Sequence, residues 1–286
     1  MRTLILAVVV ATALLSATDA WADDNVKIAP DVVYGHKDGL AMTFDVYTPA
    51  EGANGAGVLF MVSGGWFSTW APPENFIPVF TPLLDKGFTV FAVRHGSSPK
   101  YVVPEAVEDV RRAVRFIRLH AEDYGISADR LGVFGGNAGG HLSLMLGNAS
   151  DEGDSASPDE VLQQSSRVAA VVAIYPPTDL RLWVPNRPDN IKSIVALDFD
   201  PELADDVSPL VHASEDDPPT LMIHGTMDEI VPISHSEHLQ AEFEKLNVTS
   251  ELMVIDGAGH GFQGEDNVRV VAALVAWFEK HLAAAE

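Results

Sequence analysis

The chain has 286 residues, of which 47% are hydrophobic, and it contains 22 glycines and no cysteine. This length and composition predict one globular domain, and they exclude a disordered chain, a disulfide scaffold and cysteine chemistry. Its 41 acidic and 18 basic side chains give a net charge of −23, which argues against nucleic acid or an anionic membrane surface as the partner.

The first 22 residues have the pattern of a secretory leader. Arg2 precedes an apolar run that is too short to span a membrane, and Ala20-Trp21-Ala22 fits a cleavage site flanked by small residues. We therefore expect an exported protein, periplasmic or secreted, whose mature part is a single domain over 23–286. An apolar core helix is the alternative for this segment. No later segment is predicted to span a membrane.

The rest of the chain alternates between strand and helix patterns. Apolar and polar residues alternate over 26–35 and 40–49, which predicts two antiparallel strands at a sheet edge. Further strands are predicted at 57–63, 88–94, 130–135, 168–176, 220–225 and 251–256. Helices are predicted at 74–86, 104–124, 234–246 and 266–283. This order predicts an α/β fold with a mostly parallel sheet and helices on both faces.

Two stretches interrupt the alternation. Residues 150–166 are acidic and rich in serine, which predicts an exposed loop. Residues 177–217 contain Trp183 and several prolines and form a long connection of a kind that is often functional. We expect this second stretch to be either a lid over the strand ends, with Trp183 facing the substrate, or an ordinary connection.

The stretch FGGNAGGHL, residues 134–142, directly follows a predicted strand. With serine in place of Asn137 it would match G-x-S-x-G, a sharp turn that presents a nucleophilic serine. Asparagine has no hydroxyl group, but it tolerates the positive φ of such a turn better than most residues do. Its amide could also hydrogen-bond His260. The turn therefore has the glycine pattern of one that presents a nucleophile, but the residue at its centre is not a nucleophile.

Three other polar stretches also follow predicted strands. They are the Ser63-Gly64-Gly65-Trp66 stretch, Asp228 and His260. Because ligands of α/β sheets bind beyond the carboxyl ends of the strands, we expect these residues to meet Asn137 at one edge. The order of nucleophile position, acid and histidine is that of a catalytic triad. A turn carboxylate and a loop histidine are the alternatives for Asp228 and His260.

Through these stretches the chain resembles α/β-hydrolases of the esterase and lipase type. It is most similar to the bacterial esterases related to feruloyl and acetyl-xylan esterases, the BD-FAE-like and hormone-sensitive-lipase-like branch. The resemblance covers nearly all of residues 30–283 and is carried by 104–142, 218–232 and 255–262. It implies an α/β-hydrolase fold with an antiparallel N-terminal edge, a small-molecule ester or acyl ligand, and no cofactor or metal. It carries no information on oligomeric state.

The resemblance also implies roles for individual residues. Asp228 would be the triad acid that orients His260, the base. The backbone N–H groups of Ala138 and of the Gly64-Gly65-Trp66 loop would form the oxyanion hole, with Ser63 at the position of the family's histidine. Backbone donors do not depend on side-chain identity, so the hole could persist. Ser63 is disfavoured as a substitute nucleophile, because it lies at a strand end rather than on a turn.

Several functions remain open for an asparagine at this turn. One is a hydrolase whose catalysis is weak or silent, and another is a non-catalytic protein that binds an ester, acyl or carbohydrate ligand. A third is deamidation of Asn137 to aspartate, the elbow nucleophile of haloalkane dehalogenases and epoxide hydrolases, which resemble this fold. Asn-Ala is not a fast deamidation pair. A deliberate serine replacement is a further alternative.

Other polar residues are expected to be structural. His235 and His238 lie three residues apart on a predicted helix, but without a neighbouring carboxylate pattern they do not predict a metal site. Asp109 lies on the long predicted helix, where we expect a solvated or locally paired charge.

Overall fold

A computed structural model describes residues 25–284, and the predicted leader at 1–22 lies outside them. The strands are β1 (Val26–Lys37), β2 (Leu40–Pro49), β3 (Gly57–Met61), β4 (Thr89–Val93), β5 (Leu131–Gly136), β6 (Ala170–Ile174), β7 (Thr220–Gly225) and β8 (Ser250–Ile255). The helices are α1 (Ile77–Leu84), α2 (Val103–Leu119), α3 (Ala138–Asn148), α4 (Pro209–His212), α5 (Ser234–Leu246) and α6 (Gly264–His281).

These strands form one eight-stranded sheet in the order β1-β2-β4-β3-β5-β6-β7-β8. The pairs β1–β2 and β2–β4 are antiparallel, and every later pair is parallel. This arrangement confirms the predicted fold class. The chain runs from β3 outward to β4 and then returns to the other side of β3 as β5. Such a reversal opens a crevice beyond the carboxyl ends of β3 and β5, where ligands bind in open α/β sheets.

The sheet is covered on both faces. Along β4, Phe91 and Val93 point into a core shared with α2, α3 and α5, whereas Val90 and Ala92 point into a core shared with α1 and α6. Side chains alternate between the faces of a strand, so a strand buried on both sides reads as a continuous apolar run. This is why the central strands were recognisable from the sequence.

The ends of two helices differ from the prediction. The first helix is shorter than 74–86, because its opening residues Pro73–Phe76 form a 3-10 turn before α1. The long helix ends at Leu119 rather than at residue 124, and hydrogen-bonded turns lead from there to Gly125, whose φ is +66°. Glycine takes a positive φ without the penalty that a Cβ atom imposes, so Gly125 allows the chain to turn back towards β5.

The long connection 177–217 packs into the core on the α2, α3 and α5 side. It contains three 3-10 turns and α4, and it buries Leu180, Trp183, Leu197 and Val207. Burial of these side chains stabilises the connection as part of the domain. None of the helices within residues 25–284 is long and apolar enough to cross a membrane.

Candidate active site

The turn between β5 and α3 has the geometry of a nucleophile elbow. Asn137 has φ 53° and ψ −121°, and α3 begins at the next residue. A Cβ atom on Gly135 would lie 2.5 Å from the backbone of Gly139, and one on Gly139 would lie 2.7 Å from the carbonyl oxygen of Met61. The two glycines therefore permit the close approach of helix and strand, and the turn projects Asn137 beyond the sheet edge.

Asp228 and His260 form the acid–histidine pair predicted from the sequence. The Nδ1–H of His260 donates to Oδ2 of Asp228 at 2.7 Å, and Oδ1 of Asp228 accepts from the backbone N–H groups of Ile230 and Val231 at 2.9 Å each. Burial raises the pKa of Asp228, but hydrogen bonds from His224, His260 and Val231 outweigh it and hold the pKa well below its ordinary value. The carboxylate therefore stays ionised and leaves Nε2 of His260 as the acceptor.

Asn137 joins this pair to the oxyanion hole. Its Nδ2 donates to Nε2 of His260, and its Oδ1 accepts from the backbone N–H of Ala138 and, at 3.4 Å, from that of Gly65. The amide cannot be flipped, because Nδ2 would then face two groups that only donate. The side chain therefore fills both the nucleophile position and the oxyanion hole.

The loop after β3 supplies one of these donors. Gly65 directs its N–H to Asn137, whereas Gly64 donates to the carbonyl of Phe67 at 3.1 Å. Phe67 returns a bond to the Gly64 carbonyl at 3.0 Å. In this arrangement Gly64 closes the loop instead of contributing a donor to the hole, which differs from the prediction.

Trp66 holds the same loop through its side chain. Its indole N–H donates to Nδ1 of His141 at 3.3 Å, and the Nε2–H of His141 donates to the carbonyl of Val207 at 2.7 Å. Burial lowers the pKa of His141 to about 4 and keeps the ring neutral, so that Nδ1 can accept. Trp66 therefore anchors the loop to α3. Among the described residues, no hydrogen bond joins the backbone N–H of Trp66 to Asn137.

Ser63 contacts a histidine that the sequence analysis did not identify. The Ser63 hydroxyl donates to Nε2 of His95 at 2.8 Å, and Nδ1–H of His95 donates to the carbonyl of Gly96 at 2.9 Å. Burial lowers the pKa of His95 to about 4, so the ring is a weak base. The signal was its position two residues after the end of β4.

Asp109 on α2 supports this second loop. It accepts from the N–H of Gly96 at 2.8 Å and from the ammonium group of Lys37 at 2.9 Å, and it is 8% exposed. Of the two expectations, a solvated or a locally paired charge, the first is therefore wrong: the carboxylate is buried and paired, and its partner Lys37 is distant in the chain. Burial outweighs these bonds and raises the pKa of Asp109. A helix pattern locates the residue on α2 but does not show which loop covers it.

Tyr175 is the other site residue that sequence reasoning missed. It follows β6 with φ 39°, and its ring centroid lies 4.5 Å from that of His260. Burial and the charge of Asp228 raise the pKa of the phenol. Tyr175 therefore limits how far the histidine ring can turn. The predicted strand at 168–176 included Tyr175, so the available signal was a tyrosine near the carboxyl end of an apolar strand.

An apolar cavity of about 520 Å³ opens at these residues. Its polar end contains Ser63, Asn137, Tyr175 and His260, and its walls come from β3, β5, β6 and from facing sides of α1 and α6. The walls include Phe60, Val79, Leu83, Phe134, Ile174, Asn267, Val270, Val271, Leu274 and Val275. No carboxylate, ammonium or guanidinium group lines it among the described residues.

Trp183 and its segment lie away from this cavity. No residue of 177–217 is among the described lining residues, and Trp183 packs edge-on against His235 with 4.9 Å between ring centroids. The structure therefore contradicts the lid interpretation, because the apolar side chains of segment 177–217 are buried in the core instead. His235 accepts from the N–H of Thr178 at 3.1 Å.

Within residues 25–284, no group of three or more ligating side chains is arranged for a metal.

Residues 44–243 match the family model described as BD-FAE. The chain belongs to the BD-FAE family. The family resemblance predicted from the motifs is thereby confirmed, and with it the esterase type of α/β-hydrolase.

Individual members are similar over most of the chain. The probable carboxylic ester hydrolase LipM of Mycobacterium tuberculosis is 30% identical over 72% of this chain and 49% of its own length. Esterase LipC of the same organism is 30% identical over 83% of this chain and 60% of its own length. The chain thus spans about half to three fifths of these relatives. A truncated carbohydrate esterase from gut microbiota has a TM-score of 0.75 and 25% identity, covering 91% of this chain and 98% of its own.

Proposed function

We propose that this protein binds carboxylic esters in the apolar cavity and that Asn137 leaves its ester hydrolysis weak or silent. The relatives are esterases, and Asp228, His260, Gly65 and Ala138 keep the arrangement that acyl transfer uses. The function therefore follows the family in ligand class and departs from it in turnover.

One observation carries this proposal: the Asn137 amide bonds to the oxyanion donors and to His260 at once. An ester carbonyl could reach the hole only after displacing Oδ1 of Asn137. Loss of a serine nucleophile alone costs on the order of 10⁶ in turnover in a comparable triad enzyme, subtilisin. An occupied hole adds to that loss, since its donors no longer meet the developing oxyanion.

The cavity lining supports an apolar acyl group as the bound part. Val270, Leu274 and Val275 on α6 face Val79 and Leu83 on α1, and together they offer no charged partner. Burying a methylene group in such a site contributes about 0.8 kcal/mol. Aliphatic or aryl acyl chains are therefore favoured over free sugars, which would leave hydroxyl groups without partners.

A second candidate is a purely non-catalytic acyl-ligand protein. It is favoured by the same occupancy of the hole, because a binder has no need of an open oxyanion site. The retained Asp228–His260 bond weighs against it, since binding does not require an oriented base. Reactivation of the site distinguishes the two candidates.

The decisive experiment replaces Asn137 with serine and measures hydrolysis of short-chain 4-nitrophenyl esters beside the native protein. We expect the native protein to be near background and the Asn137→Ser variant to turn over with saturation. The double variant Asn137→Ser/His260→Ala is the control and should return to background. An inert single variant that binds acyl ligands would favour the non-catalytic candidate, and strong native turnover would contradict the proposed role of Asn137.

We further propose that the protein is exported and that residues 1–22 are removed. The charged Arg2, the apolar run and the Ala20-Trp21-Ala22 stretch support this proposal. Expression of the full chain in a bacterial host, with fractionation and mass measurement, tests it. A cytoplasmic product that retains Met1 to Ala22 would contradict it.

A further inference from the structure

We infer that the site can hydrolyse the side-chain amide of Asn137 itself, releasing ammonia and leaving aspartate at the elbow. The inference rests on the same acid, histidine and oxyanion donors as the proposed function. Its substrate is a group of the protein rather than a bound ester. It makes Asn137 a modification site.

The Asn137 amide is held as a hydrolase holds a bound amide substrate. Its carbonyl oxygen accepts from the N–H groups of Gly65 and Ala138, the two donors of the oxyanion hole. Its nitrogen contacts Nε2 of His260, the atom from which a leaving amine takes its proton. Hydrogen bonds to a carbonyl oxygen make its carbon more electrophilic, and these donors are preorganised by the backbone.

The cavity gives water access to the side chains of Asn137 and His260. Asn137 lines the cavity, so its side chain is reachable from the open space in front of it. His260 is 14% exposed at its side chain, and its tautomer is set by the 2.7 Å bond to Asp228. Nε2 is therefore an acceptor at the cavity surface, and its lone pair is free for water when the bond from Nδ2 of Asn137 opens.

The reaction balances with water as the only co-reactant. The bond from Nδ2 of Asn137 to Nε2 of His260 first gives way to a bond from water, because the single lone pair of Nε2 cannot accept from both. Nε2 then takes a proton from that water as the water oxygen bonds to Cγ of Asn137. The negative charge forms on Oδ1, which already bonds to Gly65 and Ala138. The imidazolium, stabilised by Asp228, returns the proton to Nδ2, and the bond from Cγ to Nδ2 breaks. Ammonia leaves, and the second water hydrogen completes a carboxylic acid that ionises.

The ordinary route of asparagine deamidation is disfavoured at this position. That route needs the backbone nitrogen of the next residue to attack Cγ and form a succinimide. Here the N–H of Ala138 donates to Oδ1 of Asn137, and Ala138 is buried at the start of α3. The nitrogen is therefore committed to the carbonyl oxygen and to the helix, so conversion depends on His260.

The product places an oxygen at each of the two positions that the amide oxygen and nitrogen occupy. One carboxylate oxygen keeps the two backbone donors, and the other faces His260, which can become an imidazolium paired with a carboxylate on each side. The converted elbow carries a group that can act as a nucleophile, whereas the amide cannot. Conversion therefore changes the chemical character of the site without a change of fold.

The test is peptide mass mapping of the intact native protein after incubation in water enriched in a heavy oxygen isotope. The expected result is an elbow peptide that gains the mass difference between amide and acid together with one heavy oxygen. All of the product should be normal aspartate, identical to the peptide from an Asn137→Asp standard. A succinimide would instead give a mixture containing isoaspartate.

Asn54, which precedes Gly55, is an internal reference for spontaneous deamidation in the same molecule. The His260→Ala variant should slow conversion at Asn137 by about 10²-fold or more and leave Asn54 unchanged. An amide that persists at Asn137 in the native protein, an isoaspartate mixture, or equal conversion in the variant would each overturn the inference. The native product analysis decides the matter even where the variant does not fold. An active Asn137→Ser variant beside a persistent native amide would refute this inference alone.

Discussion

The side chains of Asn137 and His260 are in direct contact although the residues are 123 positions apart in the chain. Asn137 sits after β5, near the middle of the sheet, and His260 follows β8 at its edge. The contact connects the side chain at the nucleophile position to the acid–histidine pair of Asp228 and His260. The triad arrangement is therefore complete except for the side chain at position 137.

The wall of the cavity formed by α6 should set acyl-chain length. In the Asn137→Ser background, Val271→Phe adds volume where α6 lines the cavity. We expect kcat/KM for long-chain 4-nitrophenyl esters to fall by about tenfold or more relative to the acetyl ester, because overfilling a packed site costs about 1 to 3 kcal/mol. A chain-length series of esters measures this ratio.

The control for this prediction lies on the same helix. Val268 is 68% exposed and does not line the cavity, so Val268→Phe should leave the chain-length profile unchanged. Equal effects of the two substitutions would show that the acyl chain binds elsewhere.

Ser63 should position the oxyanion loop through His95. In the Asn137→Ser background, Ser63→Ala removes the bond to Nε2 of His95 that ties the end of β3 to the neighbouring loop. We expect kcat to fall between about 10-fold and 100-fold with little change in KM, because small misplacements of a donor act mainly on the transition state. Steady-state kinetics separate the two parameters.

The conservative variant Ser63→Thr keeps the hydroxyl group and should restore most of kcat. In the native chain, a fluorophosphonate probe should leave Ser63 unlabelled, because the pKa of its partner His95 is lowered to about 4. Labelling of Ser63 would identify it as a nucleophile and refute the positioning role.

Neutral His141 should make stability depend on pH. Burial lowers its pKa from 6.5 to about 4, so the unfolded chain binds a proton first as the pH falls. The stabilisation is complete above pH 6.5 and is lost as the pH falls towards 4, a change on the order of 3 kcal/mol. Urea unfolding across this window should show a smaller loss for His141→Gln than for the native protein. Parallel curves for the two proteins would contradict the assignment.

Breaking the buried ion pair between Arg94 and Asp45 should destabilise the fold strongly. Two nitrogens of Arg94 donate to the Asp45 carboxylate at 2.6 and 2.8 Å, and the Asp45 side chain is fully buried. Asp45→Ala leaves a buried guanidinium group whose one remaining ion-pair partner within residues 25–284 is Asp31, so we expect a loss of about 3 to 5 kcal/mol in the free energy of unfolding.

An exposed pair provides the comparison. On the surface of α5, Nζ of Lys245 lies 2.6 Å from Oε2 of Glu242. Lys245→Ala should lower the free energy of unfolding by less than about 1 kcal/mol. Chemical unfolding of both variants measures the difference. Similar losses would show that burial of the Arg94–Asp45 pair is not what matters.

The sequence was informative wherever the signal is local. Buried parallel strands read as apolar runs, and β7 and α5 were predicted with the bounds that the structure has. The elbow was recognisable because Gly135 and Gly139 flank a position of positive φ. Asp228 and His260 were recognisable because each follows a strand, and parallel strands bring their carboxyl ends to one edge.

Other features were not readable in this way. Trp183 looked like a lid residue in a long connection, but its burial against His235 depends on how that connection folds back onto α5. The helix pattern predicted a solvated or locally paired Asp109, because it does not show that the loop at Gly96 covers this residue. His95 and Tyr175 lacked a motif, since their roles arise from contacts with Ser63 and His260 on other strands.

The sequence alone therefore determined the fold class, the elbow and the missing hydroxyl group, because periodicity, glycine spacing and residue identity are properties of neighbouring positions. The bond from the Asn137 amide to His260 was also predicted and is confirmed, but only the tertiary structure showed that the same side chain occupies the oxyanion hole. Its Oδ1 meets the backbone donors of Gly65 and Ala138, and its Nδ2 meets His260, because separate strands end together at the sheet edge. Hydrogen bonding acts over a few ångströms, so contacts between distant positions exist only once the chain has packed.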